Sequence, residues 1–403
     1  MKISYNWLMS YIDLSQSKYG VPTPEQLVSR LDEVGIQIEN VSYLYAKDGK
    51  VSKDDVVIDF KPTRELNSLC GMMWMANEVA GFYGVYLDTY ETYGSHLPND
   101  KWSRILLEKS TLQLTSTTKK CKLIAGRVIR SVAATKSPTF IKDAMYANGI
   151  EPSNSLTDSV WYAERNIGQP LIAIDANKVS EKNFVVEESE CCGVITYKGN
   201  KFNYQKGDII IRCGSKVINV AGVMTDDSVV ATSDTNSLIV ISAYIDAISA
   251  LDFMNRSGCI TFEGILTSND LRHQSILKAL YNVTSLIYEY ANGKGFEPLD
   301  SFTKLVFSKY ILSTTTRKVD EILSATYTYA DVVKAVVNNH TSIFCGGKVN
   351  VNGKMINVNI CEPSPFVGLD DRISSKFGSY RSRRQPCDLA QSVLSIYGCD
   401  YLK

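Results

Sequence analysis

Lys376, Arg381, Arg383 and Arg384, with Phe377 and Tyr380 between them, are the residues of this sequence best suited to grip a phosphate backbone and stack on a base. A solvated loop has the same composition, so the segment marks a candidate RNA contact and nothing narrower. Other chemistry is scarce. The three histidines, His96, His273 and His340, leave little room for His-based catalysis or metal binding. The ten cysteines are scattered, including the Cys191-Cys192 pair, and no C-x-x-C pair has a partner pair or a His cluster at zinc spacing. Free thiols of a reducing compartment are the expected state. No P-loop, dinucleotide fingerprint or nucleophile elbow occurs anywhere.

The elements that must position any site are those of an ordinary globular chain. Its 403 residues suffice for two or three domains with proper cores, with 44% hydrophobic and 21% charged residues. Lys+Arg and Asp+Glu both number 43, so no global positive field advertises nucleic acid, and an RNA contact must be a local patch. No apolar run approaches the length of a membrane span and no basic, apolar leader opens the chain, which gives the expectation of a cytoplasmic protein without membrane association.

Thr23-Pro24-Glu25-Gln26 carries a capping box with proline at the first helical position. The helix it opens shows Leu27, Val28, Leu31 and Val34 on one face and stops at Gly35. Alternation from Ile36 to Val41 and again over Val56 to Phe60 predicts strands, joined by a short loop at Lys47 to Lys50. Residues 70–84 read as a mostly buried helix. Together these make a small amino-terminal α+β domain over 1–90. Residues 91–118 are expected to be a linker with a strand at Arg104 to Glu108. The next unit, 119–300, alternates strands at Ala125 to Val132, Asp208 to Arg212 and Leu238 to Ser242 with helices near 137–148 and 158–166, a mixed α/β layer. A trailing helix near 269–292 is expected to bridge to the last unit. In 301–403, two short helices are followed by a hairpin over Lys348 to Ile360, centred on a type I′ turn at Asn352-Gly353, a winged-helix-like order.

Several blocks carry a resemblance. GI-x-P-x-N at 149–154, Asp158 with Tyr162, and Gly168-Gln169-Pro170-Leu171 closed by Asp175 form the first. MKISYNWLMSYIDL at the start, CKLIAGRVIRSV at 121–132, VINVAGVM at 217–224, ISAYIDAIS at 241–249 and DLAQSVLSIYGCDY at 388–401 are the others. In this order they resemble the bacterial phenylalanyl-tRNA synthetase beta subunit, whose editing domain hydrolyses Tyr-tRNA. The resemblance implies an α+β multidomain fold and partnership with an alpha subunit, two of each chain forming a heterotetramer, acting with tRNA(Phe). It also implies that ATP and magnesium belong to the alpha subunit, with no cofactor in this chain. The oligonucleotide-fold insert common in the family's first domain is missing here. The family's subunit continues into further domains, so the chain is expected to be a fragment or a shortened subunit.

At the positions that the resemblance assigns to editing, polarity is gone. Ile172 stands where the family has His, Val160-Trp161 where it has Thr-Asn, and Ile241 where a Glu accepts the phenol proton. Ala221-Gly222 match, while the following Gly-Gly is Thr225-Asp226. The expectation is a degenerate pocket of Val160, Trp161, Ile172, Ala221, Gly222 and Ile241, filled by apolar side chains, with no catalytic residue, because an apolar packing is favoured over an unsatisfied polar cavity. Asp388 keeps one carboxylate of the family's magnesium site, but its Glu pair is Gln391-Ser392, so the metal site is expected to be lost. The leading reading is a noncatalytic beta-subunit portion of phenylalanine–tRNA ligase. The alternatives are an editing hydrolase that uses Asp158, Asp226, Asp227 or Ser242, and a free-standing scaffold or RNA-binding module.

Overall fold

The computed structural model describes residues 1–14, 19–33, 36–61, 70–83, 85, 109–269, 273–303, 310–315, 317, 348–352 and 355–360. The candidates at Lys376, Tyr380, Arg381, Arg383, Arg384 and Asp388, the strand expected at Arg104 to Glu108 and the two expected helices of the last unit lie outside the described residues.

The first unit runs β1 (Lys2–Ser4), α1 (Tyr5–Met9), α2 (Pro24–Glu33), β2 (Ile38–Leu44), β3 (Asp55–Phe60) and α3 (Met72–Phe82). The capping box at the start of α2 is formed in both directions. Thr23 N donates to Gln26 Oε1 at 2.8 Å, and Gln26 N donates to Thr23 Oγ1 at 3.3 Å. Leu27 and Leu31, one helical turn apart, are the buried face. The sheet order is β1-β3-β2, and β2 passes to β3 through residues 45–54 with no inserted domain. Almost every side chain of α3 is buried, as its apolar composition, interrupted only by Asn77 and Glu78, requires.

The second unit continues with β4 (Gln113–Ser116), β5 (Cys121–Arg130), α4 (Thr139–Ala147), α5 (Ser155–Ile167), β6 (Ile172–Asp175), β7 (Asn183–Glu188), β8 (Gly193–Tyr197), β9 (Asn200–Tyr204), β10 (Ile209–Cys213), β11 (Lys216–Val220), β12 (Met224–Thr225) and β13 (Ser237–Ile245). It ends with α6 (Ala247–Ser257), α7 (Phe262–Ser268), α8 (His273–Tyr290), β14 (Gly295–Phe296) and β15 (Asp300–Thr303). Two five-stranded sheets result, β12-β11-β10-β7-β4 and a second in which β5 lies between β14 and β13, β13 pairs with β6, and β15 also pairs with β5.

β13 is apolar from Leu238 to Ile245 but for Ser242, because both its faces are covered. Leu238, Val240 and Tyr244 join the core beneath α5 and α8, while Ile239, Ile241, Ala243 and Ile245 join the core shared with β7 and β10. α8, expected as a bridge to the last unit, packs on α5, β5 and β13 inside this unit.

Two boundaries also move. The linker expected over 91–118 contains β4, which pairs in parallel with β7, and Thr111 N donates to Glu297 Oε2 at 2.6 Å while Leu114 N donates to Asp300 Oδ2 at 2.6 Å. The boundary expected at 300 falls inside β15, which pairs antiparallel with β5. Glu297, wholly buried, is also held by Arg130 at 2.5 Å.

The last described strands, β16 (Tyr310–Thr315), β17 (Lys348–Asn352) and β18 (Met355–Ile360), form a three-stranded sheet. Asn352 pairs with Met355 at the end of the β17–β18 ladder, and the turn expected at Asn352-Gly353 lies partly outside the described residues.

Trp7 of α1 stacks on Tyr162 of α5 with ring centroids 4.5 Å apart. Trp74 Nε1 of α3 donates to Ile167 O at 2.9 Å. The two units thus share one hydrophobic core.

Candidate functional site: a cleft beside helix α5

The resembling stretch at 149–175 is a latch before it is a site. Asn154 caps α5 by accepting from Leu156 N at 3.1 Å and Thr157 N at 3.2 Å. Gly168 ends the helix in the left-handed conformation at φ 70°, and its N–H donates to Glu164 O at 2.7 Å. Gln169 Nε2 then donates to Ser242 Oγ at 3.0 Å, and Ser242 Oγ donates to Pro170 O at 2.7 Å. Leu171 N donates to Glu164 Oε1 at 2.8 Å. The Gly-Gln-Pro-Leu run is thereby pinned to the helix on one side and to β13 on the other.

A cleft of about 270 Å³ opens between α5, β6, the β8–β9 turn, the β11–β12 turn, the end of β13 and α7. Of the six residues read as a degenerate pocket, Val160, Trp161, Ile172 and Gly222 line it. Ile241 and Ala221 do not. Ile241 is fully buried and pairs across the ladder with Ile172, in a core where Gly126 opposite has no room even for a methyl group. A Cβ on Gly126 would lie 3.1 Å from Ile241 Cγ1 and 2.8 Å from Val240 O. Ala221, at φ 54°, is buried in the cluster that also holds Phe253 and Met254, while Gly222 follows at φ 69° with its N–H on Asn219 Oδ1 at 2.9 Å.

The expectation of a pocket filled by apolar side chains is therefore corrected. The apolar residues line a wall or lie beneath it, and the space above remains open. Polar groups that the sequence reading passed over face it: Glu164, Tyr197, Asn219, Glu263 and Thr267. Glu164 was within reach of that reading, because Thr157, Val160, Trp161 and Glu164 fall three and four apart and so share one face of α5. Glu263 and Tyr197 come from distant elements and give no such signal.

Glu164, Glu263 and the exposed Asp227 line the cleft, and the buried guanidinium of Arg165 lies behind it beside Glu164. Arg165 lies 4.5 Å from the Trp161 ring centroid and 4.0 Å from that of Phe262, with its NH1 3.5 Å from Glu164 Oε2. Burial, then the charge of Glu263, pushes the Glu164 carboxyl up to about 8, against the opposing pull of Arg165. The Tyr197 hydroxyl is likewise raised by burial and then by Glu263. Trp161 Nε1 has no hydrogen-bond acceptor, and Glu263 accepts no side-chain hydrogen bond among the described residues.

The polar residues named as possible substitutes in a hydrolase are each engaged in the framework. Asp158 accepts from Ser137 Oγ at 2.6 Å and Ser153 N at 3.0 Å. Asp226 accepts from Thr196 N at 3.1 Å, and Asp227 accepts from Lys198 N at 2.9 Å and Gly199 N at 2.8 Å. Ser242 is the pin of the latch described above. Among the described residues no group of three or more His, Cys, Asp or Glu could hold a metal, and no helix is long and apolar enough to cross a membrane.

Residues 120–292, the region that builds this cleft, match the B3/4 domain family. Beyond that region the chain is similar to phenylalanine–tRNA ligase beta subunits. It is 25% identical to the phenylalanine–tRNA ligase beta subunit of Streptococcus thermophilus (strain CNRZ 1066) over 60% of this chain and 29% of that protein. Against the beta subunit of Bacillus cereus (strain ZK / E33L) it is 23% identical over 74% of this chain and 38% of that protein. Against that of Staphylococcus haemolyticus (strain JCSC1435) it is 22% identical over 96% of this chain and 47% of that protein. The chain thus spans less than half the length of these relatives. A crystal structure of an N-terminal fragment of the phenylalanyl-tRNA synthetase beta subunit from Pyrococcus horikoshii aligns over 98% of this chain and 99% of that chain, at 8% identity and a TM-score of 0.46.

Proposed function

We propose that this chain is a noncatalytic portion of a phenylalanine–tRNA ligase beta subunit. It supports charging of tRNA(Phe) in the cytoplasm by assembling with an alpha subunit, two of each chain together, and by contacting the tRNA. ATP and magnesium act in the alpha subunit. Its B3/4 cleft does not hydrolyse Tyr-tRNA.

The observation that carries the loss of editing is the packed pair Ile172 and Ile241, 6% and 0% exposed, at the positions where the resemblance calls for a His and a Glu. A site that selects a phenol must offer its hydroxyl a hydrogen-bond partner, and an aliphatic side chain packed under the wall offers none. Val160 and Trp161 likewise supply no base or acceptor to orient a water. Glu164 does not replace them, since one of its oxygens is bonded to Leu171 N and the other faces Arg165.

Glu263, a half-buried carboxylate on the cleft wall, and the exposed Asp227 beside the same cleft are what favours the hydrolase reading. The deciding experiment incubates the full chain with Tyr-tRNA and follows free tyrosine. Release at the buffer rate is expected, and saturable release above it would establish the hydrolase instead. Assembly is tested separately by co-expression with a class II alpha subunit. Co-purification is expected, and a chain that elutes alone would be a free-standing module.

A further inference from the structure

A second cavity, of about 210 Å³, lies where the first two units meet and shares no lining residue with the cleft. Trp7 of α1, Met72 of α3, Ile150 and Phe262 of α7 supply apolar walls, and Lys2 of β1 and Arg165 of α5 supply charge. Asn148 also borders it, with its Nδ2 already donating to Ala144 O at 2.9 Å. None of the described residues that line it is acidic. We propose that this cavity binds a small aliphatic carboxylate, its charged end on Arg165 and Lys2 and its apolar body among Met72, Ile150 and Phe262.

Arg165 carries the argument. A guanidinium offers five N–H donors in a planar fork, and buried side-chain donors are as a rule bonded. The side chain of Arg165 is 12% exposed, yet it donates no hydrogen bond to any described residue. The rings of Trp161 and Phe262 hold it, and its ion pair runs from Nη1 to Glu164 Oε2 at 3.5 Å, without hydrogen-bond geometry. Glu164 lines the cleft, not the cavity, and burial, then Glu263, pushes its carboxyl up to about 8. Near neutral pH it therefore mostly carries a proton and leaves a buried cation short of countercharge. Glu263 acts on Arg165 as well, from the cleft wall and without a direct ion pair.

A carboxylate in the cavity can accept two parallel N–H bonds from the fork, the pairing that the planar guanidinium fits. The size and body of the ligand follow from the remaining walls. At roughly 30 Å³ for each water-sized volume, the space holds on the order of seven non-hydrogen atoms. An oxyanion with no apolar part would set oxygens against Met72, Ile150 and Phe262, which offer no donor. The cavity draws its walls from both units, so an occupant should raise the thermal midpoint of the chain.

The test is isothermal titration of the full chain with 3-methylbutanoate, beside 3-methylbutylamine, 3-methyl-1-butanol and inorganic phosphate. Saturable binding of the carboxylate alone is expected, with a higher thermal midpoint at saturation. Arg165→Lys keeps a cation but loses the fork and should weaken binding about tenfold, the scale of one charge-assisted hydrogen bond. Lys2→Gln should weaken it about threefold, as loss of an exposed ion pair does. Lys2 is exposed, so that variant reports on the site even where Arg165→Lys disturbs folding. Absence of binding, binding of the amine, the alcohol or phosphate as tight as that of the carboxylate, or full affinity in Lys2→Gln or in a folded Arg165→Lys would overturn the proposal.

Discussion

Ile241 is the residue on which loss of editing turns, and it is also a test of how the wall is packed. Ile241→Glu places a carboxyl beside Ile172 and Ile124 at a fully buried position, where it is protonated or unpaired. It should cost about 2–5 kcal/mol, read as a lower thermal midpoint of the full chain, and produce no turnover of Tyr-tRNA. Ile172→His should be milder, because Ile172 borders the cleft and an imidazole there can reach water. Glu164 gives a pH signature. Its carboxyl stands at about 8 in the folded chain, against 4.5 as its ordinary value, so between those limits the folded chain holds a proton that the unfolded chain has released. The stability this group contributes is complete below its ordinary value and is lost as the pH rises through the folded one. Glu164→Gln, whose Oε1 can still accept from Leu171 N, should therefore melt about 2–4 °C above the unsubstituted chain near pH 9 and match it near pH 5. At this scale, four of the six residues read as a pocket, Val160, Trp161, Ile172 and Gly222, border the cleft. The sequence reading misjudged the contents, because replacing polar residues by apolar ones says nothing about whether their new side chains reach across the gap. Trp161 instead turns its ring to Arg165.

Among elements, α3 and the end of α5 meet backbone to backbone. A Cβ on Gly71 would lie 2.5 Å from Ile167 C and 2.7 Å from Gly168 N, both backbone atoms that cannot give way. Gly71→Ala should thus destabilise by roughly 2 kcal/mol or more and weaken the bond from Trp74 Nε1 to Ile167 O, seen as a change in Trp fluorescence alongside the thermal midpoint. Elements with strong local signals were legible. The capping box of α2, the apolar run of α3 and the alternation of β17 and β18 each state their own geometry. β4 was not, since four residues flanked by Ser and Thr look like linker, and only the edge of β7, far along the chain, makes them a strand. The bulk of α8 was legible as a helix but not its place, because periodicity identifies a buried face without naming what covers it.

For the whole molecule, the shared core predicts that the first two units unfold together. Trp7 is 7% exposed and stacked on Tyr162 across the boundary between them. Trp7→Ala should remove about 3–5 kcal/mol and lower one common calorimetric transition, where independent units would show two with only the earlier one moved. The closure of the second unit has a consequence for descent. The B3/4 match covers 120–292, yet Thr111 and Leu114 before it are bonded to Glu297 and Asp300 after it, and β4, β14 and β15 complete the sheets. A recombination event that carried only the matched segment would arrive with bare edges on β5 and β7, open to pairing with a foreign strand. Such a domain is inherited as a segment with its two flanks or not at all, and a gene that has shed neighbouring domains must still keep the short stretches on either side of this one.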